Sequence, residues 1–172
     1  MAGQVIVTIR DKQWTCTVAN TFTELTQGLS GVPSIPAGTG MLFDLGVDYK
    51  TIQIDMTRML FPLDIIFINS TQGVVGVMNN VQPGETDVRL ENEMLPGARC
   101  FLEVNAAEAE GIEVGDNAAI QGYTAPSQPN IGSVVQAFQL DMALVTALLT
   151  FLSETGALEA ETRVAEKAVG GA

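Results

Sequence analysis

Leu60-Phe61-Pro62-Leu63-Asp64-Ile65-Ile66-Phe67-Ile68 is a nearly unbroken apolar run with a single carboxylate inside it. Ahead of it, Tyr49 to Met56 alternates with period two. Behind it, the turn Ser70-Thr71-Gln72-Gly73 leads into a second apolar stretch, Val74 to Val81. Short runs of β-branched and aromatic residues divided by polar turns are strand signals. The three segments therefore predict a β-meander.

Toward the N-terminus, Gln4 to Ile9 and Trp14 to Val18 both alternate and flank the polar turn Arg10-Asp11-Lys12-Gln13, which predicts a hairpin. Thr21 followed by Glu24 has the form of a capping box. It opens a short helix with Phe22, Leu25 and Leu29 on one face, ended by Gly31 and Pro33. A loop through Pro36, Gly38 and Gly40 precedes a strand from Met41 to Leu45. Toward the C-terminus, Pro83 to Pro96 reads as an acidic loop, Cys100 to Val104 as a strand and Asn117 to Tyr123 as the last strand. The expected class is mainly β (α+β): a compact, closed or nearly closed β-barrel-like domain with one short helix, over residues 1–123.

Residues 124–130, TAPSQPN, carry two prolines and no large apolar side chain, and read as a linker. Beyond it, Ile131, Val135, Phe138, Met142, Val145, Leu149 and Leu152 follow at steps of four and three, the spacing of a coiled-coil seam. Val134, Leu144, Leu148 and Phe151 widen that seam, and no charge falls between Asp141 and Glu154. A helix apolar over most of its circumference has to be covered. Residues 131–172 are therefore expected to form a C-terminal helical assembly segment that self-associates or docks on a larger particle, with a second short helix after Gly156 that stops at Gly170-Gly171.

The chain has 172 residues, 47% of them hydrophobic and 16% charged, with a formal charge of −12. That balance fits a packed domain and argues against a phosphate-backbone binder, which needs clustered Lys and Arg. Cys16 and Cys100 lie far apart and outside any CxxC pattern, so neither a disulfide framework nor a zinc site is indicated. The opening MAGQVIVTIR reads as a strand rather than a secretion signal, which points to the cytoplasm. The charge-free C-terminal run is interrupted by Thr146 and Thr150 and falls short of the ~20 residues a bilayer crossing needs. No transmembrane segment is expected.

Four segments carry a family resemblance: Thr26-Gln27-Gly28-Leu29; Gly40-Met41-Leu42-Phe43; Pro62-Leu63-Asp64-Ile65 with Phe67-Ile68; and Leu102-Glu103-Val104-Asn105-Ala106 through Gly111-Ile112 to Val114-Gly115-Asp116. In this order they resemble the uncharacterised family known as domain of unknown function 192, over residues from about 14 to 120. The resemblance implies a compact, β-rich, barrel-like domain with a short helix and no agreed activity. Relatives usually carry an aromatic residue, Met, Lys, Asn and Thr just before the proline of the Pro-Leu-Asp segment. This chain keeps Met56 but has Asp55, Thr57, Arg58 and Met59 around it, and the basic residue often found in the first helix is replaced around Leu25.

Histidine is absent, which removes the commonest general base and neutral metal ligand. Ser30 is not in a G-x-S-x-G elbow, and Gly38-Thr39-Gly40 has no lysine after it, so turn chemistry explains those glycines. No catalytic residue, cofactor or metal is expected. Glu85, Asp87, Glu91, Asn92 and Glu93 lack an EF-hand pattern and read as a solvated loop.

Asp64 is the polar residue to explain, since a carboxylate in an apolar strand is costly unless hydrogen-bonded or paired. Either it accepts backbone N–H groups or pairs with Arg58 or Arg99, or Asp64, Glu103 and Asn105 converge at a barrel mouth to bind a cation or polar ligand. The leading expectation is a non-enzymatic structural protein that forms a homo-oligomer or joins a larger assembly. A virion assembled in the cytoplasm or another multi-subunit shell would suit it. The alternative is a small-ligand or metal-binding module with its site near Asp64, Glu103 and Asn105.

Overall fold

The computed structural model describes residues 4–91 and 97–124. Along the chain these form β1 (Gln4–Ile9), β2 (Lys12–Ala19), α1 (Phe22–Gln27), β3 (Thr39–Tyr49), β4 (Thr51–Ile54), β5 (Leu63–Ile68), β6 (Val74–Val81), β7 (Val88–Glu91), β8 (Ala98–Asn105) and β9 (Ala118–Gln121). Seven strands make one sheet in the order β6-β5-β8-β3-β2-β1-β9, and β4 pairs with β7 in a separate ribbon. The β2–β3 pair is parallel, because α1 and the loop after it carry the chain back across the sheet.

The large sheet curls into a half-barrel. At one end its two edges are tied to each other: Val74 N–H donates to Asp116 O at 2.8 Å, Gly115 N–H to Val74 O at 2.9 Å and Ala118 N–H to Gln72 O at 2.8 Å, around an isolated Gly73–Asn117 bridge. The concave side is filled by a first core that includes Val7, Trp14, Leu42, Ile66, Leu102 and Val104. The convex side of β3, β8, β5 and β6 carries a second core, in which Phe43, Ile65 and Phe67 pack with Leu25 of α1 and with Ile52 and Leu90 of the β4–β7 ribbon.

These two cores explain the apolar run. All six residues of β5 are buried, with Ile66 and Ile68 in the concave core and Ile65 and Phe67 in the convex one. A strand covered on both faces has no polar side to alternate with. Each such side chain contributes about 1.5–3 kcal/mol on burial.

The β1–β2 hairpin forms as its alternation predicts, with Ile9 opposite Lys12 and Arg10 in the left-handed region at φ 54°. The capping box is present as well: the Glu24 N–H donates to the Thr21 hydroxyl, and the Glu24 carboxylate accepts from the Thr21 N–H. The helix differs from expectation at both ends. Gly28 stops it at φ 46°, so Leu29 reaches the core from the following turn, and Phe22 is 53% exposed rather than buried.

The meander is corrected in the middle of the chain. β5 and β6 pair as expected, but β4 leaves the large sheet to pair with β7. β7 lies inside the stretch read as an acidic loop; its period-two burial, with Val88 and Leu90 inside, was masked by Arg89 and Glu91 outside. The 124–130 linker and the 131–172 segment, with its seam from Ile131 to Leu152, lie outside the described residues but for Thr124.

Candidate functional site

Strand β8 decides which polar groups can meet. Its odd-numbered side chains Phe101, Glu103 and Asn105 fall on the convex face, while Cys100, Leu102 and Val104 fall on the concave one. Glu103 sits opposite Met41 of β3 and Ile65 of β5, whereas Asp64 sits opposite Val104. The expected convergence of Asp64, Glu103 and Asn105 is therefore corrected: a one-residue offset in register places Asp64 on the other face of the sheet.

Asp64 is fully buried, and its carboxylate accepts backbone N–H groups from Asn80 (2.7 Å) and Ala109 (2.8 Å). That matches the first of the two readings of this residue, without either arginine. Asn80 sits in the left-handed region at φ 54°, within the irregular part of the β5–β6 pairing. Asn105 is also committed. Its side-chain amide donates to Ile35 O (3.2 Å), Pro36 O (3.3 Å) and the Glu108 carboxylate (3.4 Å). Glu108 in turn accepts from the Trp14 indole N–H at 2.7 Å and the Gly38 N–H at 3.0 Å, so this group fastens the β2–β3 crossover to the barrel rim.

Glu103 has no such commitments. It is 5% exposed, and among the described residues its carboxyl has no hydrogen-bond or ion-pair partner. It lines a cleft of about 30 Å³ together with the exit of α1 (Leu25 to Ser30), Gln53, Ile54 and Asp55 at the end of β4, Met59, and the Phe43–Phe101 pair. Those two rings stack with centroids 4.4 Å apart and planes 8° from parallel. Asp55 stands exposed at the rim, one oxygen accepting from Thr57 N–H at 2.8 Å.

Burial alone pushes the Glu103 carboxyl up from its ordinary 4.5 to about 8, since the charged form loses its water without gaining a counter-charge. At neutral pH it holds its proton. It can donate one hydrogen bond and accept another, and it can ionise for a ligand that brings positive charge. The Asp55–Met59 segment, where this chain departs from the usual sequence of its relatives, supplies two of the lining residues.

A second buried carboxylate, Asp44, went unread in the sequence although it lies in an apolar stretch as Asp64 does. Arg99 meets it at two points, Nε to Oδ1 at 2.9 Å and Nη2 to Oδ2 at 3.2 Å, and the Tyr123 hydroxyl donates to Oδ2 at 2.6 Å. Burial raises the Asp44 pKa, but Arg99, Tyr123 and the Gly46 N–H together outweigh it and hold the carboxyl below its usual range. Cys16 and Cys100 are free and buried, and burial pushes the Cys16 thiol up to about 12. Neither is poised as a nucleophile. Among the described residues, no group of three or more His, Cys, Asp and Glu side chains could hold a metal ion, and no helix is long and apolar enough to cross a membrane.

The chain resembles two solved structures over this fold. One, a protein from Sinorhizobium meliloti 1021 proposed to be a transcription regulator, is 26% identical with a TM-score of 0.60, covering 70% of this chain and 95% of its own. The other, a protein of unknown function from Novosphingobium aromaticivorans DSM 12444, is 25% identical with a TM-score of 0.56, covering 67% of this chain and 83% of its own. No curated protein matches the chain significantly. The family model of DUF192, described as "Uncharacterized ACR", matches residues 5–120, from β1 into β9. The chain belongs to the DUF192 family.

Proposed function

We propose that this chain is a non-enzymatic binding module whose ligand site is the Glu103 cleft. The observation that carries the reading is a buried carboxyl without a partner among the described residues, opening on a cleft walled by aromatic rings, a helix exit and a β-ribbon. Buried polar groups are ordinarily hydrogen-bonded, and one left open toward a pocket is supported best as a group reserved for a ligand. Binding without conversion is favoured because the chain lacks histidine and the cleft's other ionisable side chain, Asp55, lies at its rim. The role given for the Sinorhizobium protein is not extended to this chain, whose charge of −12 disfavours contact with a phosphate backbone.

A ligand that binds only the folded state raises its melting temperature. A thermal-shift panel of small neutral and charged compounds is expected to stabilise the wild type and to leave Glu103→Gln unmoved. A panel without any such difference would remove the proposal.

A second reading concerns residues 131–172. The seam Ile131, Val135, Phe138, Met142, Val145, Leu149 and Leu152 favours assembly through this segment, into a homo-oligomer or onto a cytoplasmic particle such as a virion. Light scattering on the full chain and on a truncation at Tyr123 tests it. A mass that falls on truncation supports assembly, and equal monomer masses end the reading.

A further inference from the structure

Among the described residues, the ionisable side chains that line the Glu103 cleft are both carboxylic acids. Glu103 is buried in it and Asp55 stands exposed at the rim, while no Lys or Arg among the described residues contributes to the wall. The nearest arginine in sequence, Arg58, donates its guanidinium to Thr26 O at 3.4 Å and stays outside the lining. The remaining wall is mixed: the stacked Phe43 and Phe101 rings, Leu45, Ile54 and the Met59 thioether are its apolar part, and Thr26, Gln27, Ser30 and Gln53 its neutral polar part. Aromatic ring faces attract cations electrostatically.

A hard metal ion does not suit this surface. Calcium takes about 6–8 oxygen ligands, carboxylates foremost, and the cleft offers two carboxyls, with Asp55 at the rim, and the neutral oxygens of Thr26, Gln27, Ser30 and Gln53 beside rings and a thioether. A cation with an apolar body would use both parts of the wall. The volume of about 30 Å³ has room for about two water-sized groups, which limits the body to a few heavy atoms.

We infer that the cleft accepts a small organic ammonium ion, with its N–H groups directed to the Glu103 carboxyl and its carbon body against Phe43, Phe101 and Met59. This rests on the cleft being a binding site, and adds the chemical class of the ligand. Glu103 releases its proton to solvent as the ammonium enters, so a neutral acid and a free cation become a buried ion pair plus a proton. The groups facing Glu103 are Met41 and Phe43 from β3, Ile65 from β5, the residues at the α1 exit, and Gln53, Asp55 and Met59 from β4 and the segment after it. Of these, only Asp55 ionises.

The test is a two-dimensional NMR titration of the full isotope-labelled chain with ethylammonium chloride, against sodium chloride at equal ionic strength, from about pH 6 to pH 9. Saturable shifts are expected at the amides of Gly28, Phe43 and Glu103. Because the ionised fraction of Glu103 rises from about one in a hundred at pH 6 to about one half at pH 8, apparent affinity should rise roughly fifty-fold over that interval and level off above it. E103Q should lose at least about tenfold in affinity and all of the pH dependence. The wild-type pH profile stands as a test by itself, whatever the variant's stability. Saturable binding of acetamide or of calcium chloride in place of ethylammonium would overturn the ammonium assignment while leaving the cleft a binding site. Absence of saturable shifts with every probe would overturn both.

Discussion

The Arg99 guanidinium lies in a two-point ion pair with Asp44, 2.9 Å from Nε to Oδ1 and 3.2 Å from Nη2 to Oδ2, and Asp44 is only 2% exposed. Removing one partner of a buried pair leaves an uncompensated charge, at a cost of about 3–5 kcal/mol. Arg99→Met is expected to destabilise the fold by that order in urea unfolding at neutral pH. Tyr123→Phe, which removes only the hydroxyl donor, should cost about 1–2 kcal/mol. The Asp44 pKa is depressed below its ordinary 3.8, so the stabilisation is present above that value and is lost as pH falls through the folded-state pKa. The gap between wild type and Arg99→Met should therefore narrow in acid.

Glu103 works in the opposite direction. Its folded-state pKa of about 8 stands above the ordinary 4.5, so the native chain binds a proton that the unfolded chain has released. Its contribution is fully present below about pH 4.5 and declines as pH rises, until it is lost above about pH 8. Glu103→Gln removes this dependence. Chemical denaturation across that range should show the variant gaining on the wild type by a few kcal/mol toward pH 8. Parallel stability curves would show that the carboxyl is solvated.

Asp64 accepts from two backbone N–H groups, on Asn80 and Ala109. Asparagine offers one acceptor oxygen, and its amide would point N–H at N–H. Asp64→Asn is expected to lose about 2–4 kcal/mol through an unsatisfied buried donor, while leaving ligand binding at Glu103 intact. A melting curve unchanged from wild type would contradict the fastening role.

Gly40 lies opposite Val104, and a Cβ built there would come 2.6 Å from the Glu103 carbonyl oxygen. Backbone cannot yield as a flexible side chain does, so β8 has to move. Gly40→Ala should cost about 1–3 kcal/mol and, unlike Asp64→Asn, weaken ligand-induced thermal stabilisation because Glu103 is displaced. Loss of stability with full ligand response would separate the two strands' geometry from the site.

The strands were legible where one residue pattern served one environment. β1 and β2 alternate because one face packs on the concave core, and β5 reads as continuous because both faces are covered. The capping box was visible because Thr21 and Glu24 act within one turn. Pairing between strands close in sequence was legible too, for β1–β2 and β5–β6, but that of β4 with β7 was not, since the ribbon depends on contacts between Ile52, Leu90 and Phe67 that no local window contains. The site shows the same division. Glu103 could be named as an acidic residue in a strand, but its separation from Asp64 depends on a register between β5 and β8, and its lack of a partner among the described residues depends on what α1 and β4 bring over it.

The pairing of β1 with β9, which sets Ile6 opposite Gln121, joins the two ends of the described domain in sequence. As the chain emerges from a ribosome, the β1–β2 hairpin must wait with one edge bare until almost the whole domain has been synthesised. Contacts of such long sequence separation pay their loop-closure entropy late, which places folding in the slow range typical of non-local β proteins, milliseconds to seconds. Until then the alternating, apolar β1 edge is a template for another nascent strand, so crowding of polysomes, rather than weakness of the finished fold, is the stage at which this chain is most exposed to aggregation.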